Sequence, residues 1–438
     1  MQTLAQLQRG ELNGVKELKL CEGLTEFPRE IFDLADTLEK LDLSDNNLTA
    51  LPADLGRLKK LRILFCSDNP FAVLPEVLAD CPELDTVGFK SNRIAHIPSR
   101  ALNPNLRWLI LTNNCITHLP AEIGQCSRMQ KLALAGNQLR TLPIELSNCR
   151  NLGLLRISAN KLDAFPHWLL SMSKLAWLAF SGNPFCIKRA VTQPPVVDWH
   201  SLELQHVLGQ GASGVIYKAR WQNGTTTKDV AVKIFKGDVT SDGLPEDEMN
   251  TFIAAGAHPG LVQLIGHIEG HPEVKKGLVM ELIPERFYNL GLPPSLASCT
   301  RDVFKEGTQL SAAHIVKITS TVASVGAQLH RNGIIHGDLY AHNTLVDAAG
   351  NTLFGDFGAA GFYDTADGAM ASALERIEVR SFGYLVDDLL GVCAGADHLV
   401  AALQDVRDMC LRPGIADRPS FTMLATQLAH LLPVAAHT

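Results

Sequence analysis

A chain of 438 residues has room for two or three domains. Its hydrophobic content of 46%, charged content of 19% and net charge of −7 are ordinary for globular protein, and they give no reason to expect a nucleic acid or a membrane surface as partner. No apolar run reaches the roughly 20 residues needed to span a bilayer, and residues 1–14 lack the basic and apolar blocks of a signal peptide.

The N-terminal part repeats itself. Units begin at Val15, Leu38, Leu61, Leu84, Leu106, Met129, Leu152 and Leu175, with steps of 23 residues and a single step of 22. A fixed period in this range signals stacked supersecondary units. In the second unit, Leu38, Leu41 and Leu43 predict a short strand with alternate residues pointing inward. Asn46 recurs as Asn69, Asn92, Asn114, Asn137, Asn160 and Asn183, and a buried amide there can satisfy backbone groups where each strand turns away. Pro52 recurs as Pro75, Pro98, Pro120, Pro143 and Pro166. This pattern resembles the leucine-rich repeat family over residues 15–185. The first unit, with Gly23 for asparagine, and the last, without the proline, deviate as capping repeats do. Cys81, Cys126 and Cys149 fall at equivalent apolar positions, which predicts small buried residues. With ten cysteines and no Cys-x-x-Cys pair, a reduced, cytoplasmic chain is the simplest expectation, although composition leaves unconventional export open.

The outward residues of the repeat strands include Ile63, Phe65, Trp108, Ile110, Leu154 and Trp177. An apolar, aromatic concave face of this extent predicts a protein-binding surface. The alternative is that neighbouring parts of the chain cover it.

After a short stiff linker at 191–197 containing Pro194 and Pro195, the pattern changes to strands and then helices. Gly209, Gly211 and Gly214 lie between β-rich flanks, where glycine lets backbone approach phosphate without a Cβ clash. Lys233 follows in a strand alternation and can neutralise phosphates. Glu246 and Glu248 both offer it an acidic partner. The stretch His336–Gly358 then places Asp338, Asn343 and Asp356 in one run. Phosphoryl transfer from ATP needs an acid to orient the attacking hydroxyl and oxygen ligands for Mg²⁺, and these three residues supply both.

The order of glycine loop, Ala-Val-Lys, His-Gly-Asp, Asn and Asp-Phe-Gly resembles the protein kinases over residues 200–432, with a tail at Arg418-Pro419-Ser420-Phe421 like that of tyrosine-kinase-like enzymes. The resemblance implies an α/β leucine-rich repeat solenoid at 1–190 followed by a two-lobed α+β kinase fold at 198–438. It implies ATP and Mg²⁺ as cofactors. Asp338 and Lys233 would be catalytic, and Asn343 and Asp356 would ligate the metal. Leu208, Gly209, Gly211, Gly214, Val215, Ala231, Glu248, Met280, Glu281, Ile283 and Leu345 would complete the nucleotide site, with Glu248 favoured over Glu246 by spacing. His336 and Phe357 would support by packing, and Arg418 would be a buried ion-pair partner.

The chain also departs from the pattern. Gly337 replaces the arginine that usually precedes the catalytic acid, as in kinases not switched through that residue. Tyr340 replaces a phosphate-contacting lysine, and His342, where tyrosine kinases carry arginine, either partly substitutes for it or is a solvated loop residue, the second being the expectation. The peptide-docking region after Asp-Phe-Gly is short, with Ala373-Leu374-Glu375 for Ala-Pro-Glu. Three functions compete on these grounds. They are a serine/threonine protein kinase that uses the repeats for partner selection, a nucleotide-binding pseudokinase scaffold, and a small-molecule kinase, which the Asp-Phe-Gly and the tail disfavour.

Overall fold

The computed structural model describes residues 2–435 apart from 193, 212, 237–238, 241 and 396–397. Two compact units emerge. The first comprises residues through Leu175 plus Asn183–Phe185, and the second Ala176–Gly182 plus the chain from Cys186 onward.

The first unit is the expected solenoid. A short helix α1 (Leu4–Gln8), closed by a capping box between Thr3 and Gln6, precedes the coils. Seven strands stack in parallel: β1 (Glu17–Lys19), β2 (Lys40–Asp42), β3 (Ile63–Phe65), β4 (Thr86–Gly88), β5 (Trp108–Ile110), β6 (Lys131–Ala133) and β7 (Leu154–Arg156). Their middle residues, such as Leu41 and Leu64, are fully buried. After most of the proline steps the chain turns through a 3₁₀ segment, as at Pro75, Pro120 and Pro143.

The asparagine ladder carries the coil-to-coil bonding. The Asn137 amide donates to the Leu111 and Leu134 carbonyls at 2.8 and 2.9 Å, and its oxygen accepts from Ile116 N at 3.1 Å. Each asparagine thus ties its own coil to the one before it. Thiols do similar work: Cys81, Cys126 and Cys149 each donate to a carbonyl about one repeat earlier. All ten cysteines are free. Burial pushes the Cys81 and Cys149 thiols up to about 11 and Cys126 to about 12, so these residues act as small hydrophobes.

The expected concave patch is smaller than its sequence pattern. Ile63, Phe65, Trp108 and Ile110 are half-buried, and Lys131 lies over the Trp108 ring at 4.2 Å. Leu154 and Trp177 are not part of an exposed surface. Leu154 and Arg156, both on the outward side of β7, are each 3% exposed, so that face is covered along its whole length. Trp177, 1% exposed, lies in a stack of rings within the second unit.

That second unit opens with β8 (Trp177–Ala179), the strand of the last repeat by sequence. The proline segment then continues into β9 (Val196–Asp198), which pairs in parallel with a later strand rather than remaining a tether. Next come β10 (Leu202–Gln210), β11 (Gly214–Asn223), β12 (Thr226–Phe235), helix α2 (Pro245–Ala255), β13 (Leu264–Glu269) and β14 (Gly277–Glu281). They form a six-stranded sheet ordered β10-β11-β12-β14-β13-β9. One face is sealed by Val197, Val230, Val232, Ile268 and Val279.

The remainder is mainly helical. Small strands β15 (Tyr288–Asn289) and β16 (Leu310–Ser311) precede helix α3 (Ala312–Arg331), capped by Ser311, whose hydroxyl accepts from His314 N. Strands β17 (Ile334–Ile335), β18 (Thr344–Val346), β19 (Thr352–Phe354) and β20 (Gly361–Phe362) carry the loops of the His336–Gly358 run. Helix α4 (Gly368–Leu390), β21 (Cys393–Ala394), α5 (His398–Cys410), α6 (Phe421–Ala429) and α7 (Leu432–Ala435) close the unit around a core that includes Ile315, Val322, Phe382, Leu403 and Phe421. No helix among the described residues is long and apolar enough to cross a membrane.

Candidate active site

A cleft of about 660 Å³ lies between the sheet and the helical part of the second unit. Its sheet side presents Leu208, Gly209, Gly211, Ile216, Ala231 and Lys233. Backbone pairing sets Ala231 beside Met280 and Lys233 beside Leu278, so alternate residues of β12 and β14 face the same space. Met280, Glu281 and Ile283 line the connection between the two parts, and Leu345 lines the opposite wall.

The sequence expectation placed Val215 in this lining. It is Ile216 that borders the cleft. Adjacent strand residues face opposite sides, and Gly214, where an added Cβ would lie 2.5 Å from the Ile234 carbonyl oxygen, holds β11 tightly against β12 and fixes that parity. Gly209 and Gly211 have nothing within 4 Å of where a Cβ would stand, leaving open space above their backbone.

Lys233 forms a buried ion pair with Glu248 of α2. Glu246 instead pairs with Lys276 at 3.0 Å on an exposed edge, so the two acidic candidates separate cleanly. Burial pushes the Glu248 carboxyl up, opposed by Lys233. One turn later, Phe252 stacks on Phe357 with ring centroids 4.9 Å apart, and His336 packs against Phe357 at 5.3 Å. Helix α2 is thereby tied to both loops.

The acidic run folds as two loops joined by the β18–β19 hairpin. Asn343 donates its amide N–H to the Asp338 carbonyl at 2.9 Å and carboxylate at 2.8 Å. The nitrogen half of the amide is therefore committed, and its oxygen is the atom available to a cation. Asp356 takes a positive φ of 60°, strained for a non-glycine residue. Its carboxylate accepts from Gly358 N at 3.2 Å. His336, 1% exposed, bonds the Gly355 carbonyl through Nε2 at 3.1 Å and accepts from Asp338 N at 3.3 Å. One imidazole thus fixes both loops.

His342 is not the solvated residue expected. Its Nδ1 lies 2.7 Å from the Asp302 carboxylate, its backbone N–H donates to the same carboxylate at 3.0 Å, and the residue lines the cleft. Burial disfavours the imidazolium, but the Asp302 hydrogen bond and charge, with Asp338 and Asp356 nearby, hold the His342 pKa above its ordinary value. Tyr340 is 4% exposed and stacked on Trp177.

Gly337 has a positive φ of 74°, and an added Cβ would lie 2.7 Å from the Ala359 carbonyl oxygen and 2.8 Å from that of Leu178. Its N–H donates to Glu378 at 2.7 Å, and His330 bonds the other oxygen of that carboxylate at 2.7 Å. Burial alone would raise the Glu378 carboxyl, but His330 and the Gly337 N–H hold it below its usual range. Helix α4 runs unbroken through Glu375 and Glu378, so the segment after Asp-Phe-Gly is short, as expected. Arg418 is 2% exposed, and its guanidinium donates to the Arg412 and Arg376 carbonyls, each at 2.9 Å.

Of the expected site residues, Gly214 and Val215 on the sheet side and Asp338 on the loop side fall outside the lining, and Asp338 is tied to it through Asn343. Phe252, Val262, Leu282, Phe287, Asn289 and His342 join it although no motif marked them as such.

Residues 202–380 match the family of protein tyrosine and serine/threonine kinases, and residues 36–76 and 82–139 match leucine-rich repeat families. A 112-residue stretch is 34% identical to the leucine-rich repeat and calponin homology domain-containing protein 1 of Mus musculus, covering 25% of this chain and 16% of that protein. A probable serine/threonine-protein kinase, gdt4, of Dictyostelium discoideum is 29% identical over 150 residues, 34% of this chain and 8% of the relative. A probable inactive serine/threonine-protein kinase of the same organism, roco10, is 32% identical over 114 residues, 25% of this chain and 4% of the relative. The matches span only a small part of these longer relatives. Leucine-rich repeats followed by a protein kinase domain make up this chain.

Proposed function

We propose that the chain is an ATP- and Mg²⁺-dependent protein kinase acting on serine or threonine, in the cytoplasm, with the repeats choosing its partners. The observation that carries this reading is the convergence on one cleft of the Lys233–Glu248 ion pair with Asn343 and Asp356, Asn343 being hydrogen-bonded to the Asp338 carboxylate at 2.8 Å. Glu248 would hold Lys233 against the α- and β-phosphates. Asn343 and Asp356 would hold the metal, which draws charge from the phosphates when bound. The donor chemistry fits this, since the Asn343 nitrogen is committed and its oxygen remains. Asp338 would orient the acceptor hydroxyl and take its proton. The apolar walls formed by Leu208, Ala231, Met280 and Leu345 suit an adenine ring, with the backbone at Glu281 and Ile283 as its hydrogen-bonding edge. His342, held by Asp302, brings an imidazole near the acids where Tyr340 supplies no cation. The concave patch of Ile63, Phe65, Trp108 and Ile110 is the proposed protein-binding face.

A second reading, a nucleotide-binding scaffold, is favoured by one observation: the Tyr340 ring is buried against Trp177, so no cation can come from that position. Purified chain incubated with radiolabelled ATP and Mg²⁺ separates the two. Label transfer that is lost in Asp338→Ala supports the kinase. Equal labelling in both overturns it, and nucleotide binding without transfer supports the scaffold.

A further inference from the structure

The arginine that would couple the catalytic loop to a phosphorylated segment is absent, and the docking segment is short. Something else must hold the loop, and a candidate lies against it. Trp177 of β8 is sandwiched between two rings: Tyr340, with centroids 4.6 Å apart and planes 2° from parallel, and Tyr384 of α4, 5.3 Å away at 15°. Its Nε1–H donates to the Leu339 carbonyl at 3.1 Å. The next residue, Leu178, has its carbonyl oxygen 2.8 Å from where a Cβ on Gly337 would stand. The bonded and stacked residues, Leu339 and Tyr340, directly follow Asp338 in the chain. The stack continues outward in both directions. Arg301 covers the Tyr384 ring at 4.6 Å, anchored to Asp387 at 2.8 Å, and Tyr340 packs on His342 at 4.9 Å.

Packing alone would not call for this arrangement. A buried apolar ring needs no hydrogen bond to a loop carbonyl, and any large residue would fill the volume. Three parallel rings plus a donor aimed at Leu339 fix the loop in position and rotation together.

We propose that Trp177 is a positioning residue for phosphoryl transfer, clamping Leu339-Tyr340 so that Asp338 is held on its acceptor, in place of the missing arginine link. The proposal rests on the kinase reading for its catalytic consequence, but its structural core can be measured without catalysis.

The test uses the full chain with Trp177→Phe, which keeps a flat ring and removes the donor, and Trp177→Ala, which removes both. Nucleotide affinity, kcat and KM for ATP, with casein as acceptor, are measured beside hydrogen exchange of residues 336–343. Expected are a kcat reduced about 10-fold in Trp177→Phe and about 100-fold in Trp177→Ala, nucleotide affinity within about 2-fold, and faster exchange confined to the loop in Trp177→Phe. Unchanged kcat, or a kcat that falls only in step with nucleotide affinity and melting temperature, would overturn the proposal. Should the wild-type chain transfer no phosphate, the kinase reading fails by itself. The clamp then stands if Trp177→Phe accelerates exchange at 336–343 in a folded chain, and falls if that exchange is unchanged.

Discussion

Replacing Gly337 by alanine tests whether this glycine is a lost arginine or a structural requirement. Two costs are expected. The positive φ of 74° disfavours any L side chain by about 1–2 kcal/mol. The new Cβ would also stand 2.7 and 2.8 Å from two backbone carbonyl oxygens, which cannot rotate away. Moving them disturbs the segment leading from Asp-Phe-Gly into β20 and the β8 backbone, at a further cost of about 1–3 kcal/mol. Gly307 separates the terms, because its φ is 80° but nothing lies within 4 Å of its Cβ position. Gly307→Ala is therefore expected to show the backbone term alone. For a unit of this size each kcal/mol shifts Tm by about 2–4 °C, so Gly337→Ala should melt about 2–12 °C below Gly307→Ala. Thermal unfolding of the full chain, followed by circular dichroism, measures the difference. Equal losses in the two variants would refute the close-approach argument. On the same reasoning Gly337→Arg destabilises the chain instead of restoring control through a phosphorylated loop.

Lys233→Met leaves Glu248 buried without its cation, and a loss of about 3 kcal/mol is expected on denaturant unfolding. The double variant with Glu248→Met should recover most of it, and a double as unstable as the single would count against a buried pair. Asp247, which faces Ser181, has its pKa raised to about 6 by burial and then by Glu246. Its folded value lies above its unfolded value, so it weakens the fold progressively as pH rises from about 4 through 6. Asp247→Asn should therefore stabilise the chain at pH 7.5 but not at pH 4, as read from Tm at the two pH values. Asn137→Ala removes one donated and one accepted bond to the preceding coil and a donated bond within its own, and a loss of about 2–4 kcal/mol in the solenoid transition is expected. A change below about 0.5 kcal/mol would show that water replaces the ladder.

The solenoid is legible in the sequence because its period is nearly strict: between the two capping repeats each strand, asparagine and proline step recurs at 23 residues, with a single step of 22. The order of Lys233, Asp338, Asn343 and Asp356 is legible for a related reason, since phosphoryl transfer constrains residue types at fixed separations. What the sequence hides is parity and long-range contact. Val215 and Ile216 are both apolar, so alternation cannot say which borders the cleft until Gly214 fixes the strand against β12. Counting from the third glycine to the second residue after it would have found Ile216. The choice of Glu248 over Glu246 could be ranked by spacing but needed the geometry of α2. The burial of Trp177, the Asp302–His342 pairing and the close approach of Leu178 to Gly337 each join residues 40 or more positions apart, which no local pattern reports.

The position of β8 bears on how such a chain can vary. Its sequence belongs to the repeats, while its ring contacts lie in the unit that carries the cleft. Stacked repeats of one period are in general interchangeable units. The coil containing Trp177 is not interchangeable in that sense, and a fragment beginning at Asp198 would uncover both tyrosines. The boundary between the two compact units lies inside the last repeat, after Leu175, upstream of the linker at 191–197.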